Sequence, residues 1–287
     1  MVLLLLSSGI GFRQTHRIVA LTRRNTTMKF RKLARHLTHF NLSLADAPQT
    51  DEVSLQFDEL ETYETRRSTR PLTLPVLIEK NSRFFIGAAS APIRPSGKFS
   101  DARKRAIAED EARFGPRKDG SKPVLKAVLK LGRKFSRNAR TVILATDCKT
   151  TYPKFAKAAF KGKRLVHHQT LSTLPRTTFN PLFPINHVEA TLRDLMGRLR
   201  RESWLASKKG RYLDLHLQAY MAYRNFSRAR FNRDTKTPAE ILGFTDRALS
   251  LGQLLSWRQD WGAERSPHPL SNNGDRTVPE YQTRRAA

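Results

Sequence analysis

The pattern of apolar and polar positions divides the chain into a helical beginning, a β-rich middle and a helical end. Over residues 12–21, Phe12, Thr15 and Val19, with Ile18 beside them, share the inner side of a short helix. Asn25 reads as the N-cap of a second helix, in which Phe30, Leu33, Ala34 and Leu37 recur at i, i+3, i+4 and i+7. Its other face carries Thr27, Lys29, Arg31, Lys32 and Arg35. Two helices around Thr22-Arg23-Arg24-Asn25 fit a helix-turn-helix whose second helix enters a major groove, and equally an ordinary basic helical hairpin.

Residues 45–51 read as a linker, after which the period drops to two. Val53, Leu55 and Phe57 alternate with Ser54, Gln56 and Asp58, which predicts a strand with one buried face and an acid on the other. Strands over 72–79 and 83–89 follow, joined by a Lys80-Asn81-Ser82 turn, so the sheet begins as an antiparallel meander. Thr141-Val142-Ile143-Leu144-Ala145 is a continuous apolar, β-branched run, as in a central strand buried on both faces, and it ends at Thr146-Asp147. A helix over 154–160, a strand over 164–169 and a Pro- and Thr-rich loop over 171–184 come next. Asn186 then starts a helix with Val188, Leu192, Leu195, Met196 and Leu199 on one face. Tyr212, Leu213, Leu217, Tyr220 and Met221 mark another, and Thr237-Pro238-Ala239-Glu240 opens a short one closed at Gly243. This order is α/β.

Charge narrows the partner. The 287 residues hold 53 Lys+Arg against 25 Asp+Glu, a net +28, which points to a polyanion, nucleic acid first. Residues 93–140 contribute fifteen basic and five acidic side chains, about a third of that excess. Within them Val124, Leu125, Val128 and Leu129 form an apolar helix face, and Lys126, Lys130, Arg133, Lys134 and Arg137 a cationic stripe suited to phosphate contact. With 39% hydrophobic residues the chain is no disordered basic tail. The single cysteine, Cys148, excludes an internal disulfide and a Cys-rich zinc finger, and reads as a small packing residue in a reducing compartment. The opening run of leucines is far shorter than the ~20 residues of a membrane span. Trp204, Trp257 and Trp261 read as core residues, and His167-His168 as strand neighbours pointing to opposite faces.

Three acids stand at chemically useful places. Asp58 lies opposite the apolar face of the first strand, Asp147 ends a strand where open α/β sheets bind ligands, and Glu189 lies in the first turn of the helix from Asn186. Arg193 and Arg200 project in nearly the same direction as Glu189 on that helix. Each acid also has an ordinary reading, as a helix cap, a capping-box member or a surface charge. Together, three carboxylates on three elements in a basic chain suit two hard cations beside a phosphodiester.

The blocks Leu55-Gln56-Phe57-Asp58-Glu59-Leu60-Glu61-Thr62, Thr146-Asp147-Cys148-Lys149-Thr150-Thr151-Tyr152-Pro153 and Asn186-His187-Val188-Glu189-Ala190-Thr191-Leu192-Arg193-Asp194-Leu195 through Arg200-Arg201 resemble the catalytic blocks of bacterial insertion-sequence DDE transposases, most closely the small insertion-element type. Trp204-Leu205-Ala206-Ser207-Lys208, Tyr220-Met221-Ala222-Tyr223-Arg224-Asn225-Phe226 and Thr237-Pro238-Ala239 are similar to that family's C-terminal end. The resemblance spans roughly 53–244, with a weaker match of 11–37 to the helix-turn-helix.

The resemblance implies an RNase H-like mixed sheet flanked by helices. The expected parts are a helix-turn-helix segment over 1–44, a catalytic core over 50–205, a helical part over 206–262 and a disordered tail over 263–287. In such a core Asp58, Asp147 and Glu189 bind two Mg²⁺ ions, with Mn²⁺ as a substitute. Water attacks the phosphodiester at an element end, and the freed 3′-hydroxyl attacks target DNA. Arg193, with Arg200 nearby, holds a phosphate of the end; Thr27, Lys29, Arg31 and Lys32 contact double-stranded DNA; Lys126, Lys130 and Lys134 follow its backbone. A homodimer or higher oligomer synapsing two ends, a cytoplasmic, nucleoid-associated location, and absence of the zinc-binding segment that precedes the helix-turn-helix in relatives are the remaining expectations. The alternatives are a non-catalytic DNA-binding protein or inactive remnant, and an RNA-associated basic protein.

Overall fold

The computed structural model describes residues 1–43, 48–200 and 203–257. Arg201, Trp261, part of the expected linker and the expected tail lie outside the described residues. Three helices open the chain, α1 (Val2–Leu6), α2 (Phe12–Ile18) and α3 (Arg23–Ser43). Strands β1 (Glu52–Tyr63), β2 (Pro71–Glu79), β3 (Phe85–Ala88) and β4 (Ala91–Pro92) precede helices α4 (Asp101–Phe114) and α5 (Ser121–Phe135). Then come β5 (Thr141–Asp147), α6 (Tyr152–Ala159), β6 (Arg164–Thr170) and α7 (Phe183–Leu195). Helices α8 (Gly210–Phe226), α9 (Pro238–Ile241) and α10 (Leu251–Ser256) finish the described chain.

The fold is α/β: a mixed six-stranded sheet in the order β3-β2-β1-β5-β6, with β4 on β2, flanked by helices. β1, β2 and β3 form the antiparallel meander that the turn chemistry predicts, and β1, β5 and β6 run parallel. The parallel pairs need crossovers, which the helices between these strands provide.

The period-two pattern of β1 is right about faces but incomplete about burial. Val53, Leu55 and Phe57 pack under α5 and α6 with Leu125, Val128, Leu129 and Phe160. The opposite face is covered as well: Leu60 packs with Val188 and Leu192 of α7 and with Leu213 and Leu217 of α8. Gln56 on that face is fully buried. Its Nε2 donates to the Pro181 carbonyl (2.7 Å) and its Oε1 accepts from the Ile185 amide (2.9 Å), which ties the start of α7 to the middle of β1. Such a residue looks like a surface position in an alternating strand. Replacing it by leucine leaves the buried Ile185 amide without its acceptor, a cost of about 2–3 kcal/mol. Gln56→Leu is therefore expected to lower the melting temperature by roughly 4–10 °C in a thermal scan.

β5 departs from the pattern. Val142, Leu144 and Thr146 are buried, whereas Thr141, Ile143, Ala145 and Asp147 are half-buried, so only one face is sealed. The helix expected from Asn186 begins three residues earlier, because Pro184 seats in its first turn. It stops at Leu195, where Met196 turns extended, and only a short 3₁₀ turn over Gly197–Leu199 follows. Glu189 is accordingly two turns into α7, not in a first-turn capping box.

At the N-terminus, the cap of α3 is Thr22, whose Oγ1 accepts from the Asn25 amide, not Asn25. The leucines of α1 form a short helix, with Leu3 and Leu6 buried. They join Phe30, Ala34, Leu37 and Phe40 of α3, Ala219 and Ala222 of α8, and Trp257 in the core beneath the sheet. The apolar side of α3 is thus taken by α8, and Ile18 is exposed rather than inward. Trp204 is 99% exposed and Cys148 is exposed; both were expected inside. The short α9 carries the expected capping box between Thr237 and Glu240. Among the described residues no helix is long and apolar enough to cross a membrane.

Candidate active site

The parallel register of β1 and β5 pairs Gln56 with Ala145 as its final recorded match. Two residues further on each strand stand Asp58 and Asp147, on the same face of the sheet as Gln56 and Ala145. That face is the one α7 covers, and Glu189 of α7 comes down onto it. All three acids line one cavity of about 430 Å³ at the C-terminal ends of β5 and β6, together with Arg176 and Arg193. A turn beginning at Asn186 would have put Glu189 at a helix end; the Gln56 clamp and the Val188 and Leu192 anchors fix it over β1 instead.

The electrostatics of this cavity are those of crowded carboxylates. Burial pushes the Asp58 carboxyl up, opposed by its hydrogen bond from the Glu59 amide (2.7 Å), and Asp147 raises it further by repulsion. Burial also pushes Glu189 up, to about 8, with repulsion from Asp58 next and the opposing pull of Arg193 and Arg176 too weak to cancel it. Glu189 Oε1 is sealed from solvent and has no hydrogen-bond partner. A buried oxygen acceptor left in that state is costly unless something meets it.

A second layer holds the acids in place. The Lys149 amide donates to Asp147 Oδ1 (3.0 Å), and the Lys149 ammonium pairs with Glu59 Oε1 (2.7 Å). Tyr152 Oη donates to the same oxygen (2.9 Å), and Thr73 Oγ1 donates to Glu59 Oε2 (2.6 Å). Burial and the acids around it drive the Tyr152 pKa far up, so its hydroxyl stays a donor. Glu59, Lys149 and Tyr152 therefore bridge β1, β2 and the start of α6, one residue from Asp58 and two from Asp147. None of the three stands out in the sequence as a site residue, nor does Arg176, a lone arginine in a Pro- and Thr-rich loop. A Lys two residues after a strand-ending Asp was the available signal.

The donor set suits a hard divalent cation, since every candidate ligand is a carboxylate oxygen and one of them lacks a partner. Among the described residues, however, no three His, Cys, Asp or Glu side chains stand together as a metal-binding group. The carboxylates share a cavity without being drawn up to a common point.

The predicted basic residues fall into separate places. Arg193 lines the carboxylate cavity and donates to the Glu61 and Leu199 carbonyls. Arg200 does not follow it around a helix: α7 has ended, and Arg200 donates to the Asp194 carbonyl instead. Lys126, Lys130 and Lys134 are exposed on α5, on the far face of the sheet from Glu189, and Lys134 donates to the Leu42 carbonyl. On α3, Lys29 and Lys32 are exposed, Arg31 lies over the Tyr212 ring, and the Thr27 hydroxyl is spent on the Arg23 carbonyl of its own helix.

No family model matches the chain, and no curated protein does. Among solved structures it is similar to a chain in the cryo-EM structure of a simian T-cell lymphotropic virus intasome in complex with the PP2A regulatory subunit B56 gamma, at 11% identity and a TM-score of 0.31. The match covers 69% of this chain and 56% of that one, so it spans little more than half of the neighbour's length.

Proposed function

We propose that this chain is a metal-dependent DNA transposase of the DDE type, built on an RNase H-like core, which hydrolyses a phosphodiester at an element end and transfers the freed 3′-hydroxyl into target DNA. The observation that carries the reading is the convergence of Asp58, Asp147 and Glu189 on one cavity from the first strand, its parallel neighbour and the helix laid across both. The strand order supports it, with the meander β1-β2-β3 on one side of β1 and the parallel β5 and β6 on the other.

In this reading Asp58, Asp147 and Glu189 would hold two hard divalent cations, which when bound would supply activation of an oxygen nucleophile and neutralise charge on the leaving oxygen. Arg193 holds a phosphate of the bound strand at the same cavity by charge-assisted hydrogen bonds. Glu59, fixed by Lys149, Tyr152 and Thr73, ties β1 to the end of β5, and the Lys149 amide holds the Asp147 carboxylate by a hydrogen bond.

One observation favours the alternative of a non-catalytic DNA-binding protein or inactive remnant: the acids do not form a ready ligand cluster among the described residues. Incubation of supercoiled plasmid with the purified chain and Mg²⁺ or Mn²⁺ separates the two. The proposal expects nicking that EDTA abolishes; DNA binding without nicking under either metal supports the remnant.

A further inference from the structure

Beside the carboxylate cavity lies a second one of about 620 Å³, and Glu61 and Arg193 line both. Its walls come from the β1–β2 turn, the segment after β4, α4 and the end of α7, and they present Arg67, Arg94, Arg103, Arg193 and Arg200 against the single acid Glu61. Beside it, Arg70 and Arg117 pair with Glu64 and Asp110. Arg67, Arg94, Arg103 and Arg200 make no ion pair among the described residues. Arg94 and Arg103 are steadied by single bonds to the Arg117 and Ser68 carbonyls, and Arg103 also lies over the Phe99 ring. Several guanidinium groups lining one groove, two of them steadied, can take an anion from outside.

We infer that this arginine groove holds the backbone of one nucleic-acid strand as it leaves the carboxylate centre, taking consecutive phosphates on Arg67, Arg94 and Arg103. The inference rests on the reading that DNA is the substrate and specifies which surface carries it. The cavity, within the range of about 300–1,000 Å³ that small ligands occupy, has room for a few linked nucleotides of one strand. Its position decides between the two basic surfaces. The α5 lysines lie across the sheet from Glu189, whereas the groove opens into the same cavity as Glu189.

The test is the salt dependence of binding, without metal, to two fluorescent DNAs: a blunt 20-base-pair duplex and the same duplex with a five-nucleotide single-stranded extension. Three proteins are compared: the parent, the triple variant Arg67→Gln/Arg94→Gln/Arg103→Gln, and the triple variant Lys126→Gln/Lys130→Gln/Lys134→Gln. Single-strand contacts contribute about 0.7 each to the slope of log K against log salt. Loss of three should reduce the slope on extended DNA by about 2, and weaken binding at 0.1 M salt at least about tenfold. On blunt duplex the arginine variant should match the parent. Arg67 makes no ion pair or hydrogen bond among the described residues, so the single variant Arg67→Gln keeps the test intact if the triple variant misfolds; its expected change is about 0.7. An unchanged slope on extended DNA overturns the inference, as does an equal fall on both DNAs, or a fall confined to the lysine variant. Cleavage is not read, so a chain inert as a nuclease still decides the groove. A chain that nicks DNA but keeps its slope retains the catalytic reading and loses this one.

Discussion

Asp147→Asn is expected to lower metal-dependent DNA cleavage at least about a thousandfold, which is about 4 kcal/mol of transition-state stabilisation. The substitution keeps size and shape, and the Lys149 amide can still donate to the remaining carbonyl oxygen, so the strand end stays where it is. What it removes is charge. Asp147 stands beside Asp58 and faces Glu189, and in the proposed centre it faces the cations from the end of β5. DNA binding without metal should not weaken and should tighten slightly, since one negative charge leaves a cavity that must accept phosphate. Single-turnover cleavage with affinity measured in parallel checks both halves. Equal cleavage by parent and variant would remove Asp147 from the chemistry; loss of both activities together would mean a damaged fold.

Glu189→Gln should stabilise the metal-free protein, and only at neutral to alkaline pH. The folded-state pKa of Glu189 is raised from 4.5 to about 8 by burial and by Asp58. Between those values the folded state holds a proton that the unfolded state has released, so stability falls as pH rises through the window. Below pH 4.5 both states are protonated and parent and variant should melt together. Above pH 8 the parent carries the whole penalty. The full shift converts to about 5 kcal/mol at 1.36 kcal/mol per unit; water entering the open cavity screens part of it, leaving about 2–3 kcal/mol, or roughly 4–10 °C in melting temperature. Saturating Mg²⁺ or Mn²⁺ should reverse the order, because ligand bound only to the folded parent stabilises it and the glutamine variant has lost the buried Glu189 oxygen. Melting curves from pH 4 to 9, with and without metal, check the sign in each regime.

Much of the sheet is legible in residue pattern alone. The alternation at Val53, Leu55 and Phe57 gives β1 its inner face and places Asp58 on the other, and the run ending at Asp147 gives β5. The positions that escape are those whose burial is decided by a distant partner. Gln56 is polar in an alternating strand, yet it is buried because α7 lies over it and supplies two backbone groups for its amide. Pro184 reads as punctuation within a loop, although a proline in the first turn starts a helix as readily as it ends a loop. The lysine stripe of α5 has the helical spacing expected of it, but periodicity cannot say which side of the sheet a crossover helix takes. The Glu59–Lys149–Tyr152 network and the arginine groove join residues far apart in the chain; Lys149, two residues after Asp147, is a local trace of the first, and nothing local marks the second.

In the proposed function three carboxylates on three elements form one cation site, and calorimetric titration of the full chain with Mg²⁺ or Mn²⁺, repeated with duplex DNA present and on Asp147→Asn, examines that site itself. Binding by the parent should strengthen as pH rises through about 8, where Glu189 gives up its proton, and should be lost in the variant. Equal binding by parent and variant, or no binding by the parent even with DNA present, would contradict it.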